Sequence, residues 1–244
     1  MDGENLSAMQ MFKEVKRLLN LQDANFPAAL ELSTKAYDKL EQENIGEDAK
    51  LWGWALHSVA LEVNEKHEEC RVVKEKMLNL SIKTNGEQHE ETILARGTLG
   101  STYSDLNLHE LAEKEILTVI AWRKKNLGQD HEDTLLALHN LGREQALLFK
   151  NEESLTTFKK CLHGRTSVLG EDHEDTVSTE LWYAKMLYNT KDFEETMKVC
   201  QHCLKMCTKV YGPHDALTKR CEDLLEKASK RYNAQSSHRH HPSS

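Results

Sequence analysis

Three heptapeptides fix the period of this chain: GEQHEET at 86–92, GQDHEDT at 128–134 and GEDHEDT at 170–176, each 42 residues after the one before. A degenerate copy, GPHDALT, begins at Gly212, another 42 residues on, and a weaker GEDAK begins at Gly46. A period in this range marks a repeat architecture, in which each unit is one supersecondary element that buries its apolar face only against its neighbours. A second column agrees with the first. Ala29, Cys70, Ala112, Ser154 and Thr196 are all small, Ser33, Lys74, Ile116, Phe158 and Cys200 follow four residues later, and Ala36, Met77, Val119, Cys161 and Cys203 follow seven later.

Each unit reads as two helices. In the third, Ile93, Leu94, Leu99 and Tyr103 carry the first helix and Leu111, Ile116, Val119 and Ile120 the second, at spacings that suit a 3.6-residue period. The small column lets the second helix cross the first closely. The glycine suits a left-handed helix C-cap, and the acidic residues after it suit a first helical turn. A six-heptad coiled coil would share the period, but glycines at 86, 128, 170 and 212 would interrupt it in every repeat.

Composition supports helices and narrows function. Charged residues make up 30%, with 11 glycines and 3 prolines, and the formal charge is −8. An acidic chain without a basic run is a poor partner for nucleic acid or an anionic membrane. No run approaches the length of a membrane span, and the first ten residues, MDGENLSAMQ, do not read as a signal peptide. Six cysteines without an export signal point to reduced thiols and a cytoplasmic setting.

The motifs resemble a known family, the tetratricopeptide repeats of the 42-residue, kinesin-light-chain-like type. The resemblance rests on Leu99, Gly100 and Tyr103, then Ala112, Ile116 and Val119, then Leu127, Gly128, Asp130, His131, Asp133 and Thr134; the next unit matches at Leu141, Gly142, Ser154, Phe158 and 169–176. The family usually has proline after the histidine, where this chain has Glu90, Glu132 and Glu174, and the fifth unit has Tyr183 and Ala184 in place of Leu-Gly. The sequence shows no heptad-rich segment of the kind that joins kinesin light chains to their heavy chains, so the expected kinship is a shared repeat type.

The resemblance implies an all-α fold, a right-handed α-solenoid with a C-terminal capping helix. The expected layout is a flexible 1–6, an array over 7–232 and a disordered tail over 233–244. Within the array, a degenerate pair over 7–43 turns near 23–27, pairs follow at 49–84, 91–126, 133–168 and 175–210, and a last helix runs from about 215 to 232.

Other motifs give no chemistry. His-Glu recurs at His67, His89, His109, His131 and His173, but the residues four on are Arg71, Ile93, Glu113, Leu135 and Val177, so the two-histidine zinc motif fails each time. Cys200, Cys203 and Cys207 share a helix face, yet Cys200 and Cys203 also occupy core columns, where cysteine serves as a small hydrophobe. The histidine-rich tail at 238–241 suits no more than weak metal contact. Neither a phosphate-binding glycine loop nor a nucleophile elbow is present, and no catalytic residue or cofactor is expected.

The expected function is therefore a non-enzymatic scaffold or adaptor that binds a peptide segment of a partner protein in the concave groove, which the first helices line in the resembling family. Thr98, Ser101, Asn140, Arg143, Trp182, Lys185 and Asn189 form the candidate stripe. Asn140 matches the asparagine that holds peptide backbone in family members, Arg143 and Lys185 favour an acidic partner, and Trp182 offers an aromatic platform. The alternative is a structural or self-associating module of a larger signalling assembly.

Overall fold

The computed structural model describes residues 6–20, 24–43 and 45–239, with side chains described to residue 236. Among the described residues every regular element is a helix: α1 (Ala8–Leu18), α2 (Phe26–Gln42), α3 (Glu47–Val63), α4 (His67–Asn85), α5 (Glu90–Asp105), α6 (His109–Asn126), α7 (Glu132–Leu147), α8 (Asn151–Leu169), α9 (Glu174–Asn189), α10 (Phe193–Val210) and α11 (Ala216–Arg239). The chain divides into two compact units, residues 1–119 and 120–244, with the division inside α6. In unit 1, α1 to α5 pack each on the next and α1 also meets α3. In unit 2, α7 to α11 do the same, and α9 also meets α7 and α11. Within each unit, then, first helices meet one another as well as the second helices beside them.

The columns read from the sequence form the core. Ala29, Cys70, Ala112, Ser154 and Thr196 are all 0% exposed. Of the residues four and seven later only Met77 is not fully buried. The pairs are matched in size. A Cβ on Gly142 would meet the Phe158 ring at 2.9 Å, so glycine is what admits the phenylalanine. In the fifth unit Cys200 replaces the ring, and Ala184 shares its buried cluster. The Tyr183-Ala184 departure is thus a compensated exchange of volume.

Two turns alternate, each repeating every 42 residues. The turn between repeats holds Gly86, Gly128, Gly170 and Gly212 at φ between 88° and 102°. The expected left-handed helical conformation is corrected here: ψ is 164° at Gly86 and 163° at Gly170, an extended region of positive φ that is essentially reserved for glycine. The repeated threonine then closes the turn, with Thr92, Thr134 and Thr218 Oγ1 donating to the carbonyls of Gly86, Gly128 and Gly212 at 2.8 Å. The repeated histidine is the N-cap: His89, His131 and His173 Nδ1 accept from Glu91, Asp133 and Asp175 N–H at 3.2–3.3 Å. In the last copy Asp215 takes that position and accepts from Leu217 N–H at 2.7 Å.

The turn within each pair carries the true left-handed residues, Glu65, Asn107, Phe149 and Lys191, at φ 58–66°. Around each, two backbone bonds satisfy the carbonyls of the first helix, as in Lys150 N–H to Gln145 O at 2.9 Å and Phe149 N–H to Ala146 O at 3.2 Å. This is the Schellman pattern.

Two expectations change. Leu94, assigned to the apolar face of α5, is 61% exposed, because α5 turns Ile93 and Leu99 inward instead. The tail expected to be disordered from residue 233 continues α11 through Arg239, since neither glycine nor proline occurs between Ala216 and Arg239 to stop it. Residues 240–244, residues 1–5 and Asp23 of the expected first turn lie outside the described residues. Asn25, in that same turn, caps α2, accepting from Ala28 N–H at 3.1 Å.

Candidate peptide-binding faces

The stripe residues fall in both units. In unit 1, Thr98 and Ser101 are exposed on α5. Thr98 Oγ1 donates back to Ala95 O at 3.0 Å, and the Thr98 carbonyl accepts from Lys74 Nζ at 3.3 Å.

In unit 2 the structure brings Arg143, Trp182 and Lys185 together. Trp182 is half-buried, and its indole stacks on the buried Phe158 ring with centroids 5.8 Å apart and planes 14° apart. Lys185 Nζ lies over the indole at 4.3 Å from its centroid, and the Arg143 guanidinium carbon lies at 6.0 Å. Both distances place the cations within reach of the ring quadrupole. The indole is therefore fixed from below by the core and flanked by two cations on its open side. Asn140, one turn before Arg143 on α7, is half-buried, and its carboxamide makes no hydrogen bond among the described residues. Asn189, in contrast, is engaged at the edge, where its Nδ2 donates to Asn151 Oδ1 at 3.4 Å.

Two further cations, absent from the sequence reading, belong to this face. A cavity of about 210 Å3 lies between α9 and α11, lined by Trp182, Lys185, Arg220 and Lys227 among others, with Asp223 the one carboxylate in its lining. Burial, then the neighbouring Arg220 charge, lowers the Lys185 pKa. Like charges are held close here, and among the described residues none of Arg143, Lys185, Arg220 and Lys227 forms an ion pair. An anionic group entering this face would gain from all four. The signal for Arg220 and Lys227 was their spacing of seven on an amphipathic final helix, which places both on one side.

The cysteines serve the core. Cys200, Cys203, Cys207 and Cys221 are fully buried in one cluster, with Cys203 and Cys207 Sγ 3.8 Å apart. The Cys203 contact lowers the Cys207 pKa, but the Cys221 contact and burial outweigh it and push the thiol up to about 11. Among the described residues no group of three histidine, cysteine or acidic side chains is placed to hold a metal ion. No described helix is long and apolar enough to cross a membrane.

Comparison with known proteins agrees with the fold. A family profile described as "Tetratricopeptide repeat" matches residues 134–175 and 184–216. No curated protein matches the sequence. Among solved structures, kinesin light chain nearly identical TPR-like repeats of Podosopora anserina align with a TM-score of 0.69 at 16% identity, over 82% of this chain and 94% of that one. BtubC (BKLC) from P. vanneervenii aligns with a TM-score of 0.59 at 13% identity, over 97% and 92%. PlcR of Bacillus thuringiensis, solved in complex with the peptide PapR7 and DNA, aligns with a TM-score of 0.53 at 12% identity, over 89% and 74%. At these identities the structural likeness shows the fold alone, a helical array of tetratricopeptide type, and the family profile places tetratricopeptide repeats at residues 134–175 and 184–216.

Proposed function

We propose that the protein is a non-enzymatic interaction scaffold whose unit 2 holds an acidic, extended segment of a partner protein. The observation that carries this reading is the set of four cations without carboxylate partners, Arg143, Lys185, Arg220 and Lys227, around one half-buried indole. Asn140 offers a free carboxamide that can donate to and accept from a peptide bond at once. Trp182 offers a rigid aromatic surface of the kind that anchors interfaces. A protein of the same fold, PlcR, was solved with a bound peptide, which supports peptide capture as a use of such a surface. The six unpaired cysteines suit a reducing, cytoplasmic setting for this work.

The test is direct. Acidic peptides are titrated into the full chain and into the Arg143→Glu, Lys185→Glu double variant. Both side chains are exposed, so the variant keeps its helicity by circular dichroism. The expected result is loss of binding by about a hundredfold or more, a scale set by reversing two charges at a desolvated contact. Unchanged affinity for acidic peptides overturns the reading.

A further inference from the structure

Unit 1 carries a larger cavity, about 560 Å3, that the acidic-peptide reading leaves unused. α3 and α5 form its walls and α4 its floor. Trp52, Val59, Met77 and Leu94 give it bulky apolar lining, and two of them are open to solvent, Val59 at 41% and Leu94 at 61%. Apolar side chains scattered singly over a surface need no explanation, but these converge on one concavity of the size that binds ligands.

The polar groups of the cavity divide into a satisfied floor and an unsatisfied rim. At the floor, Lys74 Nζ donates to Glu62 Oε1 at 2.6 Å, Thr102 Oγ1 at 2.9 Å and the Thr98 carbonyl at 3.3 Å. Its charge is met within the fold and asks nothing of a ligand. At the rim stand Asp48, in the first turn of α3, and Glu91, in the first turn of α5. Glu47, next to Asp48, takes Lys83 at 3.0 Å, while Asp48 has no ion pair among the described residues. Glu91 accepts from the Asn85 carboxamide at 2.8 Å and not from a cation.

We propose that this cavity is a second peptide site with the opposite charge preference. Its occupant is a segment of a partner protein that buries one bulky apolar side chain between α3 and α5 and sets a neighbouring lysine or arginine against Asp48 and Glu91. The carboxylates at the rim repel the acidic segment that suits unit 2, so the two faces select different sequences.

Three short synthetic peptides test this on the full chain, followed by fluorescence anisotropy. One carries a leucine-phenylalanine pair flanked by lysines, one the same pair flanked by glutamates, and one lysines with glycines in place of the pair. The first is expected to bind at least about tenfold more tightly than either of the others. Leu94→Glu removes that advantage, and the Asp48→Lys, Glu91→Lys double variant reverses the charge preference. Arg143→Glu with Lys185→Glu leaves it unchanged, which separates this site from the one in unit 2. Equal binding of all three peptides, no binding of the first, or insensitivity to Leu94→Glu overturns the proposal. A concentration-dependent dimer that Leu94→Glu abolishes would assign the cavity to a second copy of the chain and overturn it as well.

Discussion

The two units place different side chains at corresponding positions of the same repeat. At the second core column unit 1 has Ser33 and Lys74 before Ile116, whereas unit 2 has Phe158 and Cys200, and all five are buried. The polar pair is kept inside by specific partners: Ser33 Oγ meets His57 Nδ1 at 2.9 Å, and Lys74 meets Glu62. The apolar pair is kept inside by fit, with Gly142 under the Phe158 ring. The outer faces differ in the same way, one apolar with an acidic rim and the other aromatic with uncompensated cations. The backbone plan therefore constrains side-chain size and leaves side-chain chemistry free, and that freedom is what allows neighbouring repeats to carry different surfaces.

The comparison of cores can be broken most sharply by truncation. Phe158→Ala removes a fully buried ring and should cost about 3–5 kcal/mol in denaturant unfolding followed by circular dichroism. Lys74→Met at the corresponding position of unit 1, combined with Glu62→Gln, should cost less than about 1.5 kcal/mol or even stabilise, because it replaces both partners of a buried ion pair and leaves no charge stranded. Similar losses from the two variants would show that both columns are held by the same forces. The Gly142→Ala, Phe158→Cys double variant, which copies Ala184 and Cys200, should recover part of the loss seen for Phe158→Ala.

A smaller effect should appear in both units alike. Burial lowers the His57 pKa to about 4, against the opposing pull of Glu69 and Asp38. Burial, then Arg165 and Arg143, lowers that of His139 to about 4, against Asp175. Each ring is neutral in the folded chain at pH 5, where the unfolded chain binds a proton. Stability is therefore fully present above pH 6.5 and falls as pH drops from there toward 4, by roughly 1–2 kcal/mol per histidine at pH 5. Denaturation midpoints at pH 7.5 and pH 5 would check this, and equal midpoints would refute it.

The smallest effect concerns the caps. His131→Ala should cost about 0.5–1 kcal/mol, and His131→Asp should cost nothing, since Asp215 performs the same task in the last copy. A loss of equal size from aspartate would show that the ring does more than cap the helix.

Much of this was legible in the sequence because the repeat prints each core position five times. The small column, its two followers and the glycine turns all have recurrent residue types, so periodicity alone reveals them. The left-handed turns at Glu65, Asn107, Phe149 and Lys191 recur just as regularly, yet they carry an acid, an amide, an aromatic and a base. Backbone hydrogen bonds define them, so no residue type announces them. Arg143, Trp182 and Lys185 were found as a stripe on first helices, while Lys227, 42 residues after Lys185 in the same column, and Arg220 were missed because the stripe was followed only through the fifth pair. Leu94 satisfied the helical period and still faces outward, since periodicity marks a face and not what covers it.

The free cysteines carry a last consequence. Four of the six, Cys200, Cys203, Cys207 and Cys221, are packed together with no solvent exposure. While α10 and α11 stay folded, no oxidant in solution reaches these sulfurs. Unfolding exposes all four at once in a short stretch of chain, where any dissolved oxidant can join them in several pairings. Reversibility of unfolding thus depends on the redox state of the solution: refolding competes with crosslinking, and a thiol reductant decides the outcome.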